Sequence, residues 1–132
     1  MNNTAILCVD DEVTILKSLE IELHNTFGDT YIYEFAENAE EAIEIMDELD
    51  EDDLQIIIII SDWLMPGMKG DEFLIKIHKK YPHIIKIMLT GQASEEAIER
   101  AKRYANLHRC FSKPWDSGEL MTTIQSAVKK LQ

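Results

Sequence analysis

The stretch from Gln55 to Gly70 reads QIIIIISDWLMPGMKG. Its five successive isoleucines, Ile56 to Ile60, form a β-branched run bounded by turn residues, which predicts a strand buried on both faces. Such a strand belongs in the middle of a parallel sheet, with helices above and below. In open α/β sheets, ligands and chemistry collect at the carboxyl ends of the strands. Asp62 stands at that end, and the Met65-Pro66-Gly67 loop after it can continue neither a strand nor a helix. One carboxylate is thereby placed at the mouth of the sheet.

Working outward, the same strand-then-helix alternation recurs. Thr4 to Val9 reads as a first strand ending at Asp10-Asp11. Leu16, Leu19, Leu23 and Phe27 then recur at helical spacing up to Gly28, a favourable stop. Tyr31 to Ala36 is a second strand, and Asn38 with Glu41 resembles a capping box for a helix with Ala39, Ala42, Ile43 and Met46 inward. Asp50 to Asp53 reads as an acidic loop into the isoleucine strand. Gly70 to Tyr81 is a third helix carrying Phe73, Leu74 and Ile77, ended by Tyr81-Pro82. Ile84 to Leu89 is a fourth strand before Thr90-Gly91, and Ser94 caps a fourth helix to about Ala105. His108 to Phe111 is a short fifth strand, followed by Ser112, Lys113 and Pro114. A last helix, capped by Asp116 with Glu119, runs to the end with Leu120, Ile124, Ala127, Val128 and Leu131 inward. Five βα units over residues 1–132 predict one α/β domain with a parallel sheet covered on both faces.

Composition narrows the function classes. Net charge is −12, with −17 on residues 1–68 and +5 on residues 69–132. That acidity argues against direct nucleic-acid binding. No apolar run is long enough to cross a bilayer, and MNNTAILCVDDE lacks the basic start of a signal peptide. Cys8 and Cys110 read as buried thiols in a reducing compartment, and the expected location is the cytoplasm. The four histidines show no metal-ligand spacing, which gives them surface or structural roles.

The residues just after the strands carry the chemistry. They are Asp10 and Asp11, Asp62, Thr90 and Lys113, all on one edge of a parallel sheet. Three neighbouring carboxylates repel, and a hard divalent cation relieves that; Mg²⁺ favours oxygen ligands and keeps positions open for phosphate. A carboxylate can act as nucleophile towards phosphorus, and the transferring group needs cations and hydrogen-bond donors around it. Asp62, Lys113 and Thr90 supply those roles.

The chain resembles the receiver domains of two-component response regulators from end to end. The matching pieces are Asp10-Asp11, the run Asp62 to Gly67 with Gly70 after it, Thr90-Gly91, and Lys113-Pro114. The resemblance implies a flavodoxin-like three-layer (βα)5 sandwich with strand order 2-1-3-4-5, the order of a family member that is a standard example of this fold. It implies that Asp62 accepts a phosphoryl group from a sensor histidine kinase or histidine phosphotransfer protein. Mg²⁺ would be held by Asp11, Asp62 and the Leu64 main-chain carbonyl, with Asp10 acting mostly through a metal-bound water. Lys113 would pair with the phosphoryl group, Thr90 would swing in to hydrogen-bond it, Gly91 would leave access, and Lys113-Pro114 would be cis. Leu64 and Gln92 would flank the pocket and tune phosphoryl lifetime, with apolar Leu64 giving an attacking water no help. Output would pass to a partner or an output domain through the fourth helix, fifth strand and fifth helix, a surface that could also form a homodimer. The implied protein is a signalling switch rather than a turnover enzyme.

The sequence departs from the family where Cys110 replaces the usual Tyr or Phe three residues before the lysine. Phe111 alternates to the opposite face and reads as core. Three rival readings compete with the switch. A phosphorylation-independent binding module is kept open by Cys110. A haloacid-dehalogenase-type phosphohydrolase would want an acid where Leu64 stands, and a flavodoxin-like electron carrier would meet repulsion from Asp10, Asp11 and Glu12.

Overall fold

The computed structural model describes residues 3–131. Five strands, β1 (Thr4–Val9), β2 (Ile32–Ala36), β3 (Gln55–Ser61), β4 (Ile85–Thr90) and β5 (Arg109–Ser112), form one parallel sheet in the order β2-β1-β3-β4-β5. Helices α1 (Val13–Phe27), α2 (Ala39–Glu51), α3 (Gly70–Lys80), α4 (Glu95–Ala105) and α5 (Ser117–Lys129) alternate with them. This is the flavodoxin-like (βα)5 sandwich expected from the sequence. Among the described residues no helix is long and apolar enough to cross a membrane.

Alternation along the strands builds two cores. Ile6, Cys8, Ile58, Ile60, Ile87, Leu89 and Phe111 meet Leu16, Leu19 and Leu23 of α1 and Leu120, Ile124 and Val128 of α5. On the other face Leu7, Val9, Ile59 and Met88 meet Ala42 and Met46 of α2, Phe73, Leu74 and Ile77 of α3, and Ala101 and Ala105 of α4. The isoleucine strand departs from simple alternation. The β1–β3 register shifts between Ala5 and Ile6, so Ile57 is passed over in the pairing. Ile57 and Ile58 therefore both serve the α1–α5 side, and Ile57 is only partly buried.

Element ends differ from the sequence expectation where local geometry wins. α2 continues through Asp50 and Glu51, so the acidic loop shrinks to Asp52-Asp53, with Asp53 at φ 58°. Leu54 N–H closes that turn on the Leu49 carbonyl at 2.8 Å. Asn38 Oδ1 accepts from Glu41 N–H at 2.8 Å, which is the Asn half of the expected box. Ser94 and Asp116 cap α4 and α5 as expected. β2 starts at Ile32, and β4 and β5 each lie one residue later than the pattern predicts. Ile43 is only partly buried, and Leu131 is 52% exposed because α5 has ended at Lys129. Gln132 and the first two residues lie outside the described range.

One buried group is unlike the rest of the core. Lys86 in β4 is 1% exposed, and its ammonium donates to the Ile84 carbonyl at 2.8 Å and meets His78 Nδ1 at 2.9 Å. Burial lowers its pKa from 10.5 to about 8. Between those values the unfolded chain holds a proton that the native protein does not, so stability rises with pH across that window. Lys86→Met removes this dependence. The difference in unfolding free energy between variant and wild type should shift in favour of wild type from pH 8 to 10.5 in urea titrations. A difference that stays constant with pH would contradict it.

Candidate functional site

The parallel sheet sets the site. Asp10 N–H donates to the Ala36 carbonyl at 3.0 Å and Asp62 N–H to the Val9 carbonyl at 2.9 Å, so both residues leave their strands under backbone control. Asp10 and Asp62 are 2% and 5% exposed, while Asp11 is exposed. Carboxylate oxygens of the three lie within 4.8 Å of one another. Lys113, just after β5, reaches back across the sheet edge. Its Nζ is 2.6 Å from Asp10 Oδ2, 3.4 Å from Asp62 Oδ2 and 3.6 Å from Glu12 Oε1.

Burial works against the Lys113 ammonium, but its hydrogen bond to Asp10 and the charges of Asp10, Asp62 and Glu12 outweigh it and hold its pKa above the usual lysine value. Burial, aided by the Asp62 charge, raises the Asp10 pKa against the opposing hydrogen bonds from Lys113 and the Glu12 N–H. The two Asp62 oxygens differ. Oδ1 accepts from the Trp63 N–H at 2.8 Å, and Oδ2 faces the Lys113 ammonium.

Thr90 ends β4 at 5% exposure and lines the same cavity as Asp62 and Lys113, with its hydroxyl oxygen accepting from the Gln92 N–H at 3.3 Å. That cavity, of about 680 Å³, is walled further by Leu64, Gln92 and Trp115. Trp115 is pinned to α1 by a 2.9 Å hydrogen bond from its indole N–H to Glu22. Gly91 has little to avoid, since a Cβ there would meet Lys113 Cβ at 3.9 Å. Gly70 is different: a Cβ would fall 2.8 Å from Trp63 Cα and closer still to the Asp62 carbonyl. Only glycine lets α3 start so close behind the loop that follows β3, and its N–H closes the loop on the Trp63 carbonyl at 2.8 Å. The Lys113-Pro114 peptide is cis, as expected.

The structure thus brings together Asp10, Asp11, Asp62, Thr90 and Lys113, and puts Leu64 on the rim at 42% exposure. Cys110 and Phe111 point to opposite sides of the sheet, with Phe111 in the α1–α5 core. Cys8 is buried as expected, but Cys110 is only partly so, because it packs at the periphery of its core. Three neighbours received no supporting role at the site from the sequence. Glu12 lends its N–H to Asp10 at 2.9 Å, Ser61 donates to the Asp62 carbonyl at 2.9 Å, and Asp71 is buried beside Trp63. Glu12 is foreshadowed by its place in the acidic run after β1. Asp71 looks from sequence like an ordinary first-turn acid of a helix.

The site has three carboxylates and one ammonium, all oxygen donors on the anionic side. That set fits a hard divalent cation such as Mg²⁺, with Asp10, Asp11 and Asp62 as the carboxylate donors.

A domain of this fold with acids, a hydroxyl and a lysine at its strand ends is a receiver-type signalling domain. The family model for the response regulator receiver domain matches residues 6–125, and the chain belongs to that family. The signal receiver domain of an HD domain-containing protein from Pseudomonas fluorescens Pf-5 superposes with a TM-score of 0.86 at 30% identity, covering 96% of this chain and 95% of that one. Chemotaxis protein CheY-3 of Vibrio cholerae is 26% identical over 98% of this chain and 95% of its own length. The hydrogenase transcriptional regulatory protein HoxA of Cupriavidus necator is 31% identical over 74 residues, 56% of this chain. The chain spans only 15% of that regulator's length.

Lys113 is the cation closest to both buried carboxylates. Removing one partner from a buried ion pair costs about 3–5 kcal/mol, because a charge is left uncompensated. Lys113→Ala should therefore lose roughly 3 kcal/mol of unfolding free energy in metal-free buffer. Added Mg²⁺ should restore more stability to the variant than it adds to wild type. An equal Mg²⁺ increment in both proteins would show that the cation does not share this pocket.

Proposed function

We propose that this domain is a cytoplasmic phosphoacceptor switch in which Asp62 takes a phosphoryl group from a histidine of a sensor kinase or phosphotransfer protein. The observation that carries the reading is the convergence of Asp62 with Asp10, Asp11 and Lys113 at one sheet edge, opening on a cavity shared with Thr90. Asp62 Oδ2, which faces the Lys113 ammonium, is the attacking oxygen. It forms the new bond to phosphorus as the phosphorus–nitrogen bond breaks, and the leaving imidazole keeps the electron pair and takes up a proton. Lys113, held cationic, transfers its attention from Asp10 to the phosphoryl oxygens. The Thr90 hydroxyl releases the Gln92 N–H and donates to the same group. Asp11, Asp62 and the Leu64 main-chain carbonyl would hold Mg²⁺, with Asp10 acting mostly through a water, and the ion would supply positive charge against that developing on the phosphoryl group.

The chemistry is a single acceptance and release, so the domain is a switch and not a turnover enzyme. The added charge and the ordering of Thr90 and its loop bias a two-state equilibrium. Readout passes to a partner or output domain through α4, β5 and α5, the same surface that would support a phosphorylation-driven homodimer. Leu64 on the cavity rim offers a hydrolytic water no polar help, which favours a phosphoryl lifetime away from the short extreme.

Intact mass after incubation with acetyl phosphate tests the reading. One phosphoryl adduct should form, require Mg²⁺ and be absent in Asp62→Asn. Absence of the adduct in wild type, with Mg²⁺ binding intact, would favour a phosphorylation-independent binding module. For the dimer, the sedimentation coefficient should rise on phosphorylation, and an unchanged value would remove homodimerisation from the model of readout.

A further inference from the structure

Asp62 is joined to α4 by a continuous path of hydrogen bonds through Trp63 and Asp71. Its Oδ1 accepts from the main-chain N–H of Trp63 at 2.8 Å. The indole Nε1–H of Trp63 donates to Asp71 Oδ1 at 2.9 Å. The other oxygen of Asp71 accepts from Arg100 Nη1 of α4, again at 2.9 Å. Lys69 places its ammonium 4.8 Å from the Trp63 ring centroid, so the indole is held at its edge and on its face.

Asp71 is the unusual member of this path. An acid in the first turn of a helix is normally solvated and gains a little from the helix dipole. Asp71 is 3% exposed instead. A buried carboxylate is tolerated when its oxygens are matched by donors, and here each oxygen has one, from different elements. A hydrophobic residue could fill such a site at less desolvation cost, but it could not fix the indole's orientation or tie α3 to α4 through a directed charge pair.

We propose that Asp71 is a positioning residue for the Asp62 reaction. By fixing the Trp63 indole it fixes the Trp63 N–H, which holds Asp62 Oδ1 and leaves Oδ2 turned towards Lys113 and the incoming phosphorus. Arg100 completes the tether, so the state of Asp62 and the seating of α4 are linked. Linkage is reciprocal at equilibrium: if the phosphoryl group alters the tether, a change at Arg100 alters how favourable phosphorylation of Asp62 is. The path runs on the sheet side that Cys110 occupies, and gives this chain a route to α4 without an aromatic at that position. The inference rests on Asp62 as phosphoacceptor.

The test measures phosphorylation by acetyl phosphate and Mg²⁺ in wild type, Asp71→Ala, Asp71→Asn, Arg100→Gln and the Asp71→Ala/Arg100→Gln double variant. Misplacing a reacting group without touching it costs up to about a hundredfold, so Asp71→Ala should be slowed roughly tenfold. Asp71→Asn, which keeps an acceptor for the indole, should recover most of the rate. Arg100→Gln should be slowed about threefold, and the double variant no more than Asp71→Ala, since Arg100 acts through Asp71. The Trp63 indole N–H resonance should move in every variant. A folded Asp71→Ala at the wild-type rate, or single effects that multiply in the double variant, would overturn the proposal. If Asp71→Ala fails to fold, Arg100→Gln decides: an unshifted Trp63 indole resonance with an unchanged rate would overturn it. If wild type itself takes no phosphoryl group, the phosphoacceptor reading fails, and an unmoved Trp63 indole resonance in Arg100→Gln would then overturn the tether separately.

Discussion

Two buried carboxylates and a third beside them repel one another, and the Lys113 ammonium is the side-chain charge that offsets that repulsion. It sits 2.6 Å from Asp10 and 3.4 Å from Asp62, delivered from the far end of the chain by the β5–α5 connection. The rest of the structure makes this arrangement hold. β1, β3 and β5 must run parallel for their carboxyl ends to meet, and the sheet must be covered on both faces for Asp10 and Asp62 to be desolvated. Desolvation in turn makes the site responsive, because charges added or removed there are poorly screened.

The scaffold is built for rigidity beneath the site and economy around it. Ile58, Ile59 and Ile60 lock β3 into both cores immediately before Asp62. Gly70 then permits α3 to start against the Asp62 backbone, and its N–H closes the loop on Trp63. Asp62 is thus held between a packed strand and a helix start, while Thr90 ends β4 and Leu64 and Gln92 stand in the loops beside it.

The Trp63–Asp71–Arg100 connection adds a directed contact between the loop after β3 and α4. Cys110 occupies the β5 position facing that same side, packed at the edge of that core. Burial keeps its thiol pKa up despite the nearby Lys102 charge, which gives it the character of a quiet packing group.

Much of this was legible in the sequence, for a physical reason. A parallel α/β sheet puts chemistry at strand ends, so periodicity and turn residues alone locate Asp10, Asp11, Asp62, Thr90 and Lys113 on one edge. Capping by Asn38, Ser94 and Asp116 was readable because it is local. What the sequence could not carry was register and non-local pairing. Five identical isoleucines hold no information about which of them faces which helix, and the shift that turns Ile57 and Ile58 to one side is set by pairing with β1. Asp71 is chemically indistinguishable from any solvated first-turn acid until α4 brings Arg100 to it from 29 residues away. The amino-acid sequence by itself determined the order of elements and the chemistry at their ends, because those follow from local pattern. Tertiary structure alone decided that Lys113 pairs with Asp10, that Ile57 yields its place to Ile58, and that Asp71 is buried, because each depends on distant segments meeting.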